Sequence, residues 1–93
     1  MSQVLDDLAA VIADRKVNPR EGSYTCRLLA AGEDEILKKL GEEAVETILA
    51  AKGQGDQRLV CELADLLYHA LVFLAYRDIP FAAVEAELAH RFR

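Results

Sequence analysis

The chain is poor in the residues that interrupt helices. Its 93 residues include five glycines, two prolines and no tryptophan. This scarcity favours helices, and no segment alternates apolar and polar residues for long enough to predict a strand. The two cysteines, Cys26 and Cys61, lack metal-like spacing and are typical of a reduced, cytosolic protein. So short a chain has no room for a second core, so we expect one all-α domain over residues 1–93.

Basic residues are outnumbered by acidic ones, 11 against 16, and the net charge is −5. This balance argues against nucleic acid or an anionic membrane as the main partner. An anionic substrate would need local lysines or a metal. The N-terminus carries Asp6 and Asp7 and has no basic segment followed by a long apolar run, so we expect no signal peptide and a cytoplasmic protein.

One long apolar segment stands out. Between Leu59 and Tyr76 every residue is apolar or aromatic except Glu62, Asp65 and His69. In an α-helix this spacing places all three on one narrow stripe of an otherwise apolar surface, which predicts a buried helix. Two carboxylates near the centre would each cost about 2.5 to 3.5 kcal/mol in a bilayer, so we expect a soluble core helix and no membrane span.

The preceding helix carries a second acidic stripe. Glu42, Glu43 and Glu46 fall within roughly 100° of one another on a helical wheel, and Lys39 lies inside that arc. A short link at 53–55 would make the two helices antiparallel and bring five carboxylates together. Two carboxylates about 6 Å apart repel by roughly 3 kcal/mol, so the cluster should take up protons or hold a cation. Oxygen ligands indicate a hard cation, Mg²⁺ or Mn²⁺.

Other interpretations of these acids remain open. The first three could be surface residues paired with Lys38 and Lys39, and lysines of the same helix could neutralise the buried stripe as a structural ion-pair core. No basic residue lies within 59–76, so a metal site is the preferred interpretation. His69 could orient Asp65 or a water, or it could be a hydrogen-bonded core histidine. Redox chemistry is not expected, because no acid of the cluster begins the Glu-x-x-His pairs of di-iron bundles.

Five helices are predicted in order along the chain. They are a first helix capped by Ser2, then 24–31 capped by Ser23, about 33–52, 56–77 capped by Asp56, and one beginning at Phe81, with a loop at 16–22. The apolar face of the third helix comprises Ile36, Leu40, Ala44, Ile48 and Ala51. Gly41 inside it could admit a packed helix or a ligand. The long apolar fourth helix favours a homodimer.

These residues resemble a known family signature. The pattern Glu42-Glu43-x-x-Glu46 followed by Glu62-x-x-Asp65 resembles that of the all-α, MazG-like nucleotide pyrophosphohydrolases. Ser23-Tyr24-Thr25 and the run from Asp65 to His69 are similar to the phosphoribosyl-ATP pyrophosphatase family in particular. The resemblance covers nearly the whole chain.

The resemblance implies a MazG-like bundle of four to five helices completed by dimerisation. It also implies Mg²⁺-dependent hydrolysis of phosphoribosyl-ATP to phosphoribosyl-AMP and pyrophosphate, the second step of histidine biosynthesis. The implied metal ligands are Glu43, Glu46, Glu62 and Asp65. Glu42 would support these ligands or orient the water, Lys39 would contact phosphate, and Tyr24 and Thr25 would line the nucleotide side.

Two other functions fit the same sequence. One is a nucleoside triphosphate pyrophosphohydrolase of the same fold, which needs the same metal ligands; the other is a non-enzymatic helical assembly module. Many members of the family continue with a short lysine-rich tail, whereas this sequence ends at Arg93. No segment resembles a cyclohydrolase, so we expect a stand-alone enzyme.

Overall fold

A computed structural model describes residues 3–92, and within that range it contains five helices and no strand. The helices are α1 (Gln3–Val17), α2 (Tyr24–Ala31), α3 (Glu33–Gly53), α4 (Asp56–Tyr76) and α5 (Phe81–Arg91). The predicted all-α class is therefore confirmed. The predicted cap at Ser2 lies outside the described residues.

The central unit is the hairpin of α3 and α4, which form the most extensive helix pair of the fold. Gly55 in the link has φ 87°, a left-handed conformation that glycine adopts without steric cost. Gly55 also occupies the N-cap position of α4, without a side-chain hydrogen bond, so the prediction that Asp56 caps this helix is wrong. Asp56 is instead its first residue, where its charge still favours the positive end of the helix dipole.

The core is assembled from four helices. Ile12, Leu28 and Ile36 come from α1, α2 and α3, and they meet Leu71 and Val72 of α4. Burial on α4 is strongest in its C-terminal half, whereas Val60 and Leu63 of the first half are exposed, so the prediction of a buried helix is wrong for that half. The N-cap of α2 is confirmed, since the Cys26 backbone N–H donates to Ser23 Oγ at 3.2 Å.

The end of α4 is held by α1. The predicted loop at 16–22 begins slightly later, because α1 continues through Val17. Lys16 Nζ donates to the carbonyl oxygens of Ala75 and Tyr76, at 2.9 and 3.1 Å, and pairs with Asp78 at 2.7 Å. A lysine here adds a donor to carbonyls of the last helical turn, where positive charge is favoured.

The predicted apolar face of α3 is partly wrong. Ile36 is buried, but Ile48 is 61% exposed and Ala51 is exposed as well. The buried residues of α3 are instead Ile36 and Ala50, because α4 covers a different side of the helix. Apolar periodicity identifies a face that avoids water, and it does not tell which chain covers that face.

Large apolar side chains are exposed on both helices of the hairpin, and we call them together the exposed apolar face. It consists of Val45, Ile48 and Leu49 on α3 and Val60, Leu63 and Leu67 on α4. By length and composition alone α4 would also pass as a membrane-spanning helix. A single helix of this kind is weak evidence of a membrane, since core helices of soluble proteins meet the same criteria.

Replacing a core residue of α4 should destabilise the protein more than the same change on the surface. We expect Val72→Ala, at a fully buried position, to lower the free energy of unfolding by about 2 kcal/mol or more, because it loses buried apolar volume and leaves a cavity. Val17→Ala, at a side chain 76% exposed, should change it by less than about 0.5 kcal/mol. Urea unfolding measures both, and equal effects would contradict this core.

Candidate metal centre

The hairpin brings three carboxylates together. Glu43 of α3 faces Glu62 and Asp65 of α4, and one oxygen from each lies within 4.8 Å of the others. Glu62 is only 3% exposed, whereas Asp65 opens towards solvent. We call these residues the three-carboxylate cluster. Its ligand atoms are all oxygens, the type that Mg²⁺ and Mn²⁺ prefer.

Two oxygens of the three-carboxylate cluster lack partners. Oε2 of Glu43 and Oε2 of Glu62 are buried and accept no hydrogen bond from the described residues. Burial raises the pKa of Glu43, and the charges of Glu46 and Asp65 raise it further. A buried carboxylate without a donor is costly, and a bound cation would remove that cost. The donor set therefore fits a hard divalent metal.

One basic residue reaches the cluster from outside the apolar run. Arg58 Nη2 lies 2.7 Å from Glu62 Oε1, one helical turn away along α4. The sequence interpretation considered lysines of α3 as the neutralising groups and missed this arginine, although the four-residue spacing is the signal for such a pair. One guanidinium leaves two carboxylates of the cluster without a cation.

The other two predicted acids lie outside the three-carboxylate cluster. Glu42 pairs with Lys39, with Nζ to Oε1 at 3.5 Å, and the charge of Glu42 is the main reason why the pKa of Lys39 is raised. Glu46 is exposed and offers no oxygen within the 4.8 Å group, although its charge acts on Glu43. The structure thus brings together three of the five predicted acids, and the ligand role of Glu46 stays a prediction.

His69 is held by hydrogen bonds at both ring nitrogens. Its Nδ1 lies 2.7 Å from the backbone oxygen of Asp65, and a carbonyl only accepts, so Nδ1 carries the proton. Nε2 therefore accepts from the Tyr24 hydroxyl, at 3.2 Å. His69 is 5% exposed, and this arrangement fits the hydrogen-bonded core histidine of the two alternatives.

Tyr24 and Thr25 tie α2 to α4 beside the cluster. The Thr25 hydroxyl forms a hydrogen bond with the Tyr68 hydroxyl, and burial raises the pKa of Tyr68. The Tyr24 and Tyr68 rings stack with centroids 6.3 Å apart. Two hydroxyl contacts and one ring contact therefore fix the start of α2 against the face of α4 that carries His69.

Gly41 borders open space on α3. A Cβ atom built there would have no neighbour within 4 Å, so no other helix of the described chain packs against it. A cleft of about 520 Å³ lies over this position, lined also by Glu42, Val45 and Glu46. Of the two alternatives for Gly41, a packed helix is not provided by residues 3–92, and a ligand stays a prediction.

Comparison with known proteins identifies the family. The sequence pattern described as "Phosphoribosyl-ATP pyrophosphohydrolase" matches residues 5–92. The chain belongs to this family. Its relatives include the phosphoribosyl-ATP pyrophosphatase of Methanocella arvoryzae, 53% identical over 93 residues and covering 98% of each chain. The resemblance inferred from the acidic pattern and its flanking residues is thereby confirmed.

Two other relatives show how widely the family pattern occurs. The phosphoribosyl-ATP pyrophosphatase of Trichlorobacter lovleyi is 55% identical over 89 residues, which cover 96% of this chain and 82% of that protein. The "Histidine biosynthesis bifunctional protein HisIE" of Synechocystis is 45% identical over 92 residues, 99% of this chain and 43% of that protein. The family domain therefore also occurs within a longer, bifunctional protein.

The buried Glu43 should make metal-free stability depend on pH. Because its pKa is raised in the folded state, the stability it contributes is complete below the ordinary glutamate pKa of about 4.3 and is lost as pH rises through the raised value. Glutamine is neutral throughout, so we expect Glu43→Gln to match wild type near pH 4 and to be more stable at pH 8. Urea unfolding in excess chelator measures this difference.

The matched control is Glu21→Gln, which removes an exposed carboxylate from the loop between α1 and α2. This variant should follow wild type at both pH values. A Glu43→Gln variant that does the same would contradict the electrostatic description of the cluster.

Proposed function

We propose that this protein hydrolyses phosphoribosyl-ATP to phosphoribosyl-AMP and pyrophosphate, a step of histidine biosynthesis, with Mg²⁺ as cofactor and Mn²⁺ as a substitute. The observation that carries the proposal is the three-carboxylate cluster, with two unpartnered buried oxygens, in a chain of this family. The names of the relatives support the substrate. A biosynthetic enzyme of this kind is expected in the cytoplasm.

The cluster supplies what hydrolysis of a phosphoanhydride needs. Glu43, Glu62 and Asp65 would bind the metal, and Glu46, whose side chain is exposed, would join them as a fourth ligand. A divalent ion there neutralises phosphate charge and lowers the pKa of a bound water. Arg58 holds one oxygen of Glu62 and thereby leaves the other for the ion.

The neighbouring residues would bind the rest of the substrate. Lys39 is half-buried beside the acids, and its raised pKa keeps it charged for contact with a phosphate oxygen. Glu42 pairs with this lysine and would orient either it or the attacking water. Tyr24 and Thr25, at the start of α2, would line the nucleotide side.

The structural alternative can be weighed against this proposal. A purely structural ion-pair core would match each buried carboxylate with a cation, and Arg58 with Glu62 is such a pair. Glu43, whose Oε2 is buried, has no ion-pair partner among residues 3–92, which favours a bound ion over a salt-bridge core. The geometry favours no particular nucleoside triphosphate over phosphoribosyl-ATP, so a substrate panel separates the two enzymes.

The exposed apolar face supports a homodimer. Its positions on α4 recur at three- and four-residue intervals, the spacing of a helix packed against another helix. Groups of exposed large apolar side chains on a soluble protein mark interaction surfaces. We infer that a second copy covers the exposed apolar face and that the dimer completes the bundle.

Turnover should depend on the metal and on its ligands. Wild type should release pyrophosphate from phosphoribosyl-ATP with Mg²⁺ and lose this activity in excess chelator. Glu62→Gln and Asp65→Asn should each lower kcat/KM by more than about 100-fold, because the ion loses a ligand, while circular dichroism still shows a folded protein.

Glu87→Gln provides the control for this experiment, since Glu87 is an exposed acid of α5 and its change should leave turnover intact. ATP and other nucleoside triphosphates are assayed beside phosphoribosyl-ATP. Release only from those would replace the substrate while keeping the metal site. The structural alternative would be favoured if wild type shows no turnover and if Glu62→Gln and Asp65→Asn lose the same stability with and without Mg²⁺.

The oligomeric state should depend on the exposed apolar face. Ile48→Asp places a charge at the centre of the exposed apolar face and should convert the dimer to a monomer, because burying that charge would cost several kcal/mol. Val17→Asp, at a more exposed apolar residue outside the face, should leave the dimer intact. Sedimentation velocity measures both, and a monomeric wild type would refute the dimer.

A further inference from the structure

A second cleft lies beside the acids, at the junction of α2 and α3. Its volume is about 350 Å³, within the range of small-molecule sites. It is lined by Tyr24, Arg27, Leu28, Ala31, Glu35 and Lys39. Arg27 and Lys39 are basic and Glu35 is acidic, so the lining has the net positive charge that an anionic ligand needs.

Arg27 differs from most arginines of the chain. Among residues 3–92, an ion pair with a carboxylate occupies Arg15, Arg58, Arg77 and Arg91. Arg27 has no such partner in that range. Its guanidinium carbon lies 5.5 Å from the centroid of the Tyr24 ring, so the side chain is placed by stacking and its donors stay free.

The cleft is connected to the three-carboxylate cluster on two sides. Tyr24, on its wall, donates to His69, which in turn donates to the backbone oxygen of Asp65. Lys39, also on its wall, pairs with Glu42, the neighbour of Glu43. A nucleotide with its phosphoanhydride at the cluster could therefore extend past Tyr24 and Lys39 towards Arg27.

The proposed substrate has a group for this position. Phosphoribosyl-ATP carries a second ribose on its adenine base, and the phosphate of that ribose lies at the opposite end of the nucleotide from the reacting bond. ATP lacks this group. A free guanidinium is well suited to bind such a phosphate through two parallel hydrogen bonds, and a carboxylate such as Glu35 is a common acceptor for ribose hydroxyls.

We propose that Arg27, held on the face of Tyr24, binds the phosphate of the phosphoribosyl group and so distinguishes phosphoribosyl-ATP from ATP. This inference rests on the proposed function. The phosphate could instead be the terminal one of the triphosphate chain, or the α-phosphate that all these nucleotides share. The test therefore compares ligands that differ only in the phosphoribosyl group.

Calorimetry measures the Kd of phosphoribosyl-AMP and of AMP, with Mg²⁺, for wild type and Arg27→Met. Methionine keeps an unbranched apolar stem against Tyr24 and removes the charge. We expect wild type to bind phosphoribosyl-AMP at least about 10-fold more tightly than AMP. Arg27→Met should lose about 10- to 100-fold in affinity for phosphoribosyl-AMP and less than about 2-fold for AMP.

Two further variants sharpen the comparison. Arg77→Met removes another stacked guanidinium, 5.2 Å from the centroid of the Phe73 ring, at the far end of α4, and should bind both ligands like wild type. Arg27→Lys keeps the charge without the planar fork and should recover part of the lost affinity. Circular dichroism and urea unfolding establish that each variant is folded.

Several outcomes would overturn the inference. Arg27→Met could lose affinity equally for phosphoribosyl-AMP and AMP, or for neither. Arg77→Met could show the same loss, or wild type could bind the two ligands alike.

Kinetics separates this inference from the proposed function. Arg27→Met should raise KM for phosphoribosyl-ATP more than it lowers kcat. A wild type that turns over phosphoribosyl-ATP beside an unaffected Arg27→Met would refute the role of Arg27 alone. With no turnover at all, the proposed function fails, and the binding comparison still decides the role of Arg27.

Discussion

Repulsion between like charges at the interface of α3 and α4 is the constraint to which the surrounding structure responds. One carboxylate oxygen from each of Glu43, Glu62 and Asp65 lies within 4.8 Å of the others. Two oxygens of these residues are buried without a hydrogen-bond donor. Arg58 offsets part of this charge. Burial raises the pKa of Glu43, and the charges of Glu46 and Asp65 raise it further. Such an arrangement stabilises a bound cation at the expense of the metal-free protein.

The remaining helices keep this interface in place. Lys16 of α1 holds the C-terminal end of α4, and the buried core that α1, α2 and α3 form lies against the same half of that helix. Tyr24 joins α2 to His69, one turn beyond Asp65. The acids therefore lie on the less buried half of the hairpin, where a substrate can approach, while the opposite half supplies the packing energy.

Much of the site could be predicted because its pattern is local. The spacing of Glu62, Asp65 and His69 fixes them on one stripe of α4 whatever the helix packs against. Capping and helix-breaking residues located the helix ends to within a few residues. The exception is the N-cap of α4, which is Gly55, in a left-handed conformation, and not Asp56. Arg58 lies one residue before the apolar run begins, so the lack of basic residues within that run did not reveal it.

The sequence by itself determined the five helices, their order and the angular positions of the acids on each helix. Only the tertiary structure decided that Glu43 faces α4 while Glu46 stays in solvent, and that Ile48 lies on the exposed apolar face. Periodicity fixes the angles between residues of one helix, but the rotation of that helix against its neighbours depends on the packing of every contacting side chain. The spacing of residues along one helix therefore does not predict that rotation.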